Sequence, residues 1–316
     1  MCKRATAIAV LFVVTANSVA TAQQQELKWK FRPGDRLNYL VQQDMTMTMD
    51  YNGRDIASTM KQSIDTSWHI QRVNAQGNAE LIQRINRIKI IMDGGPLGHV
   101  EYDTGAKEPA RKELTPMAQV FGALIKAEIR TVMSPAGKVL KTTVPPKLLE
   151  TLKNAPGVGA AGFSEDSLQQ MFNQSGVILP QVPVGVGSKW TSANQVKTPA
   201  GRMVFNSMLE FRGMQDYRNR KYARIDLKPT VRMMPDPKSA VQVSVKSANG
   251  KGAVLFDHQA GRIERTKLTS RMVMTVTQEV EGQKESIDQT IDQTVSMARI
   301  SREVATAPAT GATRKE

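Results

Sequence analysis

Hydrophobic and polar residues alternate one for one over long stretches of this chain. The plainest run is Met45-Thr46-Met47-Thr48-Met49. A period of two places the methionines on one face of a strand and the threonines on the other. The run lies in a strand predicted over Tyr39–Tyr51, and Asn52-Gly53 then signals a hairpin because both residues tolerate positive φ. The return strand is predicted over Asp55–Val73. Met60, Ile64, Trp68 and Ile70 share one parity there, and Lys61, Asp65 and His69 share the other. A turn at Asn74–Asn78 leads to a third strand, Ala79–Met92, which Asp93-Gly94-Gly95-Pro96 ends.

The pattern then changes period. Thr115-Pro116 opens a helix in which Met117, Val120, Phe121 and Leu124 recur at helical spacing, with Thr115 as candidate cap. Two short strands, Ala127–Met133 and Lys138–Val144, flank the turn Ser134-Pro135-Ala136-Gly137, and a second helix starts at Pro146. Asn154–Phe163 is rich in Gly and Ala and reads as a linker, and Ser164 caps a third short helix. Strands resume with Met203–Phe211, Tyr222–Val231, Ala240–Ser247, Ala253–Asp257, Arg262–Val280 and Ser286–Ile300. In Ile287–Thr294 the aspartates Asp288 and Asp292 are four apart, which also fits a helix; the threonines and the preceding Glu281-Gly282 turn favour a strand.

The two halves echo each other in order. Gly34-Asp35-Arg36-Leu37 matches Gly187-Ser188-Lys189-Trp190, Arg84-Ile85-Asn86 matches Arg224-Ile225-Asp226, Tyr102-Asp103 matches Phe256-Asp257, and Ala136-Gly137-Lys138-Val139 matches Ala260-Gly261-Arg262-Ile263. Lys61–Asp65 also resembles Lys284–Asp288, out of that order. The predicted fold is mainly β: two similar curved antiparallel sheets of long strands, with a few short helices between them. The predicted organisation is a signal peptide over 1–22, a β-rich half over 23–154, a linker and short helix over 155–176, a second β-rich half over 177–303 and a disordered tail over 304–316.

Several of these pieces also resemble an uncharacterised domain-of-unknown-function family of exported bacterial proteins. They are Gly34-Asp35 before the Met/Thr hairpin, Tyr102-Asp103, Ser134–Val139, and Pro180-Gln181-Val182-Pro183-Val184-Gly185-Val186-Gly187-Ser188-Lys189-Trp190. The resemblance implies export and a β-rich fold. It brings no catalytic residue and no ligand.

The first 22 residues say where the protein works. Lys3 and Arg4 form a positive start, Ala5–Val14 an apolar stretch too short to span a bilayer, and Ala20-Thr21-Ala22 a small-x-small cleavage pattern. Export to the periplasm or beyond is expected. The only cysteine, Cys2, lies in this segment, so the mature chain is expected to rely on core burial, not disulfides. No later stretch has the roughly 18 consecutive apolar residues of a membrane span. Net charge is +14; only Lys3 and Arg4 of the charged residues fall within the first 22, leaving +12 on the rest. Such an excess favours anionic partners, and export makes an anionic envelope component or lipid a better candidate than nucleic acid.

Recognisable catalytic chemistry is absent from the sequence. Gly157-Val158-Gly159-Ala160-Ala161-Gly162 has the dinucleotide glycine spacing, but Pro156 and a helix precede it where a strand is needed. His69, His99 and His258 are scattered, so no metal and no cofactor is expected. Asp103 and Asp257 are candidates for a carboxylate pair only if the halves meet about a twofold axis. Two candidate surfaces remain. Met45, Met47, Met49, Met272 and Met274 could line an adaptable apolar site. Arg218, Arg220, Arg224, Lys228 and Arg232 share a parity and would form one basic stripe on a continuous strand, with Pro229 marking that strand as an edge. The expected function is a non-enzymatic exported protein that binds an apolar or amphiphilic envelope molecule. A structural or interaction protein of the envelope is the alternative, and a secreted hydrolase the third reading.

Overall fold

The computed structural model describes residues 24–51, 53–94, 98–107, 111–154, 177–198, 200–280 and 283–301. The expected signal peptide, the glycine-patterned linker with its third helix, and the tail lie outside these. In chain order the elements are β1 (Arg36–Tyr51), β2 (Arg54–Val73), β3 (Ala79–Gly94), β4 (Val100–Asp103), α1 (Thr115–Lys126), β5 (Ile129–Met133), β6 (Val139–Thr143), α2 (Pro146–Asn154), β7 (Lys189–Thr198), β8 (Gly201–Tyr217), β9 (Arg220–Pro235), β10 (Val241–Asp257), β11 (Arg262–Val280) and β12 (Gln283–Arg299).

The described strands form one sheet of 12, in the order β6-β5-β3-β2-β1-β12-β11-β10-β9-β8-β7, with β4 beside β3. Two sheets were expected. The halves merge because β1 pairs antiparallel with β12, from Tyr39 opposite Arg299 to Asp50 opposite Asp288. An exposed β1 edge is thereby satisfied by the last strand. The helices do not lie between sheets. They pack at the β3–β5 end, where Val120, Ala127, Ile129, Val144, Leu148 and Leu152 form a small core and Tyr102 meets the Phe121 ring at 5.6 Å. Leu114, not Thr115, occupies the cap position of α1.

Two further differences concern glycine and proline. Ala240–Ser247 and Ala253–Asp257 are one strand, β10, running through Gly250 and Gly252. A Cβ on Gly250 would stand 2.6 Å from the Pro229 ring, so this glycine makes room for the proline and does not break the strand. Pro229 itself sits in β9, an interior strand between β8 and β10, which corrects the edge expectation. The missing N–H shows in the ladder: Leu227 pairs with Gly252 and Thr230 with Asn249, with no pair between them and none beyond Thr230.

The main core lies under one end of the sheet. The segment ahead of β1 crosses that end as a strap. Gln25 bridges to Val184, the Trp29 N–H donates to Pro135 O at 2.8 Å, and the Lys30 N–H donates to Gly261 O at 3.0 Å. Trp29 packs among Phe31, Trp68 and Phe256 with ring centroids 5.6 to 6.1 Å apart, and Leu27, Tyr39, Phe211, Ile225 and Val254 complete the cluster. Tyr39 is wholly buried and its hydroxyl donates to Ile263 O; burial holds the phenol well above its usual range. The Gly34 and Gly187 turns make the same hydrogen bonds. Gly34 N–H donates to Ile70 O and Ile70 N–H to Asp35 O, while Gly187 N–H donates to Phe211 O and Phe211 N–H to Ser188 O.

Gly261 has φ +62, and a Cβ there would stand 2.3 Å from the Lys30 nitrogen; Gly34 has φ +88 with open space around it. Gly34→Ala is expected to cost only the left-handed backbone term, about 1–2 kcal/mol. Gly261→Ala adds displacement of the strap and loss of its hydrogen bond, and is expected to cost at least about 1 kcal/mol more. Denaturant unfolding of the two variants checks the ordering.

Candidate functional site

Directly opposed residues in a ladder share a face, so the registers assign every strand residue to one side of the sheet. Met45 is opposite Met60 on β2 and Gln293 on β12; Met47 is opposite Ser58 and Ile291; Met49 is opposite Ile56 and Gln289. Across β12, Ile291 is opposite Met272 and Gln289 is opposite Met274. The five predicted methionines thus come together on one face, on strands that flank β12, and all are half-buried. Leu37 and Tyr39 belong to the same parity of β1, so this face continues into the aromatic core.

From the core outward, this face carries no charge until the hairpin tips. On β1 it presents Val41, Gln43, Met45, Met47 and Met49; on β2 Ile64, Gln62, Met60 and Ser58; on β12 Met297, Val295, Gln293, Ile291 and Gln289. On β11 it presents Leu268, Ser270, Met272, Met274 and Val276, and on β10 Val241, Val243, Val245 and Ala248. Met203, Phe205, Val231 and Met233 extend it over β8 and β9. On β1, β2, β11 and β12 the charges of this parity are the Glu264–Arg299 ion pair, 2.8 Å and beside the core, and Arg54 and Glu285 at the outer tips; on β8 and β9 Asp216 and Lys221 carry it beyond the core, next to the β8–β9 turn. Glutamines interrupt the apolar surface, Gln289 toward the tips and Gln43, Gln62 and Gln293 as a group nearer its middle. Gln43 is opposite Gln62, and its amide nitrogen donates to the Gln293 side-chain oxygen at 3.2 Å. Sequence reading missed these glutamines. Each shares the parity of neighbouring apolar residues, but only the β1–β12 register unites them.

The opposite face is charged and threonine-rich. A depression of about 450 Å³ lies there. Most of its lining, Asp44, Thr46, Thr59, Lys61, Asp93, Thr269, Asp292 and Thr294, has that parity, and Met45, Met60, Ser270 and Gln293 are the intervening residues.

The basic stripe is interrupted. Arg218 is not in a strand; it sits with Asn219 at positive φ in the β8–β9 turn. Arg220, Arg224, Lys228 and Arg232 do share a parity of β9, on the face opposite the methionines. Acids meet much of this charge. Arg220 pairs with buried Asp257 at 2.9 Å, Arg224 with Asp226 at 2.8 Å, and Arg212 bridges Glu210 and Asp226 at 2.7 and 3.0 Å. Burial alone pushes the Asp226 carboxyl up, but the guanidinium N–H groups of Arg224 and Arg212 outweigh it and hold it below the ordinary carboxylate range.

Asp103 and Asp257 do not meet. Asp103 ends β4 beside β3 and is held by both guanidinium N–H groups of Arg87, at 2.9 and 2.6 Å; Asp257 ends β10, with β2, β1, β12 and β11 between β3 and β10. Asp257 caps its own turn, accepting from the Ala260 N–H at 2.9 Å. His69 meets Gln71, His99 meets Asp93 at 2.6 Å, and His258 lies in the β10–β11 turn. Among the described residues no group of three or more His, Cys, Asp or Glu is placed to hold a metal, and no helix is long and apolar enough to cross a membrane.

Fold and face define a single-sheet, mainly β protein with one charged side and one uncharged side. The chain belongs to a family of unknown function, DUF6263, whose pattern matches residues 76–263. No curated protein sequence matches it. Among solved structures, one of lipid–protein interactions in lipovitellin aligns with 89% of this chain and 27% of that one, at 14% identity and a TM-score of 0.47, so the chain spans about a quarter of that protein's length. DynF from the dynemicin biosynthesis pathway of Micromonospora chersina aligns over 92% of both chains at 9% identity and a TM-score of 0.20. An outer membrane channel from Pseudomonas putida F1 aligns over 84% of this chain and 96% of that one, at 8% identity and a TM-score of 0.24. At such identities and scores they establish no shared function.

The Asp226 pairing sets a pH dependence. Its folded pKa is depressed, so the stabilisation is present above the unfolded value of about 3.9 and is lost as pH falls through the folded value. Because Arg224 and Arg212 are 44% and 48% exposed, the contribution is screened to about 0.5–1 kcal/mol. Asp226→Asn is expected to lower the urea midpoint at pH 7 and to approach the parent protein's midpoint as pH falls below the ordinary carboxylate range.

Proposed function

We propose that this protein is an exported, non-enzymatic binder of an apolar or amphiphilic envelope molecule, which lies against the methionine-bearing face. The observation that supports this most is the charge-free run across β1, β2, β10, β11 and β12, next to an opposite face crowded with charge. A solvated face of that length would carry lysine, glutamate and aspartate, as the opposite one does. Methionine suits an adaptable contact because its unbranched side chain repacks around differing shapes. Export rests on the first 22 residues, and the matching Gly34 and Gly187 turns are compatible with two halves of common origin.

The alternative, a structural component of the envelope, draws on the cavity lying on the other face. In that reading the methionine face meets protein. The basic stripe supports neither a head-group site on the methionine face nor edge protection, since β9 is interior and its arginines point away from the methionines.

Native mass spectrometry of protein taken from a bacterial periplasm is expected to show bound mass that an organic extract identifies as lipid. Met47→Glu with Met272→Glu should remove that mass while leaving circular dichroism unchanged, because two carboxylates would then have to be desolvated against an apolar ligand. A clean apo mass with a lipid-free extract from the parent protein would overturn the binding reading.

A further inference from the structure

The glutamines cross the charge-free face at its middle, not at its rim. Gln62 on β2 is opposite Gln43 on β1, Gln43 donates to Gln293 on β12, and Gln293 is opposite Ser270 on β11. Among the described residues this Gln43–Gln293 bond is the single side-chain hydrogen bond the four make. The Gln62 amide and the Ser270 hydroxyl have no side-chain hydrogen-bond partner among the described residues. Toward the core the next residues of this parity are Val41, Ile64, Val295 and Leu268; toward the tips they are Met45, Met60, Ile291 and Met272. The face therefore reads apolar, polar and uncharged, apolar.

We propose that Gln43, Gln62, Gln293 and Ser270 form a recognition station for the carbonyl of a neutral acyl ester, with the acyl chain along the methionines. This rests on the binding role proposed above and names its ligand class. An amide N–H donates to a carbonyl oxygen without needing charge on either partner. A carboxylate or phosphate at the same place would lose its water with no cation to replace it. The charges of this parity do not serve that need: Arg299 is held by Glu264 beside the core, and Arg54 lies at the outer tip. The six residue steps from Gln43 to Met49 give about 20 Å of strand for a chain to follow, at about 3.3 Å per residue.

The test compares three fluorescent probes on the purified full chain: a pyrene-labelled long-chain fatty acid methyl ester, the corresponding free acid at pH 8, and a pyrene-labelled alkane. The parent protein is expected to bind the ester about tenfold more tightly than the alkane, the ratio that one added hydrogen bond of about 1.4 kcal/mol gives, and more tightly than the acid, whose carboxylate would have to be desolvated. Replacing the belt by Gln43→Leu, Gln62→Leu and Gln293→Leu together should bring ester affinity to that of the alkane while alkane binding persists. Gln62→Leu alone, which breaks no existing bond, should lower the ester-to-alkane ratio if the triple variant fails to fold. Equal binding of acid and ester by the parent overturns the carbonyl assignment and leaves the apolar binding role standing. An ester preference that survives Gln62→Leu and the triple variant overturns the assignment to the belt. Failure of the parent to bind any of the three overturns the binding role itself.

Discussion

The ladder between β1 and β12 joins residues as far apart as Tyr39 and Arg299, 260 positions along the chain, and the rest of the structure depends on it. It turns two runs of strands into one sheet. It also sets which side chains become neighbours: Met45, Met47 and Met49 reach Met272 and Met274 only because β12 lies between them in this register. A slip of one residue would turn the whole methionine row to the charged side. Closing so long a loop costs entropy before it returns any contact, and the strap offsets part of that cost by tying both halves at once. Its Trp29 N–H reaches Pro135 and its Lys30 N–H reaches Gly261, one in each half of the chain.

A single sheet has to solve its two faces differently. At the core end the strap and its aromatic rings cover the uncharged face, and at the β3–β5 end α1 and α2 do. On the opposite face, water and ion pairs take over, as in the Arg212, Arg224 and Asp226 cluster. What remains is the methionine region, half-buried chiefly by its own neighbours. Its composition explains how it stays soft: methionines alternate with Ser58, Gln289 and Ser270, which water can satisfy when nothing else does.

Strand identity was legible in the sequence because a period of two is written into each strand by itself. Met45–Met49 and the Tyr39–Val73 hairpin needed no partner to be recognised, while through Ile287–Thr294, where period alone also fits a helix, threonine content and the preceding turn decided for a strand. Strand pairing was not legible, because the hydrogen bonds that choose a neighbour belong to backbone that every residue shares. Hence two sheets were expected where β1 and β12 make one. Local rules also misled where tertiary contacts overrode them. Pro229 was taken to mark an edge, but Gly250 opposite it gives its ring space inside the sheet, at the cost of a gap in the ladder. Arg218 has the parity of Arg220, yet two residues at positive φ reverse the chain there. The methionine set was found from the sequence and the glutamine belt was not. A lone glutamine on an apolar parity is ordinary, and only the register turns three of them into a group.

Net charge and site chemistry point in different directions in this protein, and the sheet reconciles them. A chain of charge +14 invites an anionic ligand. Yet the parity that carries Arg220, Arg224, Lys228 and Arg232 is separated from the methionines by the sheet itself, and acids already engage several of these cations. Charge on one side of a sheet attracts ions to that side; it does not solvate an ion pressed against the other, where the nearest groups are methyls, thioethers and amides. The uncharged face therefore selects by desolvation. Any molecule that lies on it must give up water, and that is cheapest for one whose polar atoms are few, neutral and placed where Gln43, Gln62 and Gln293 stand.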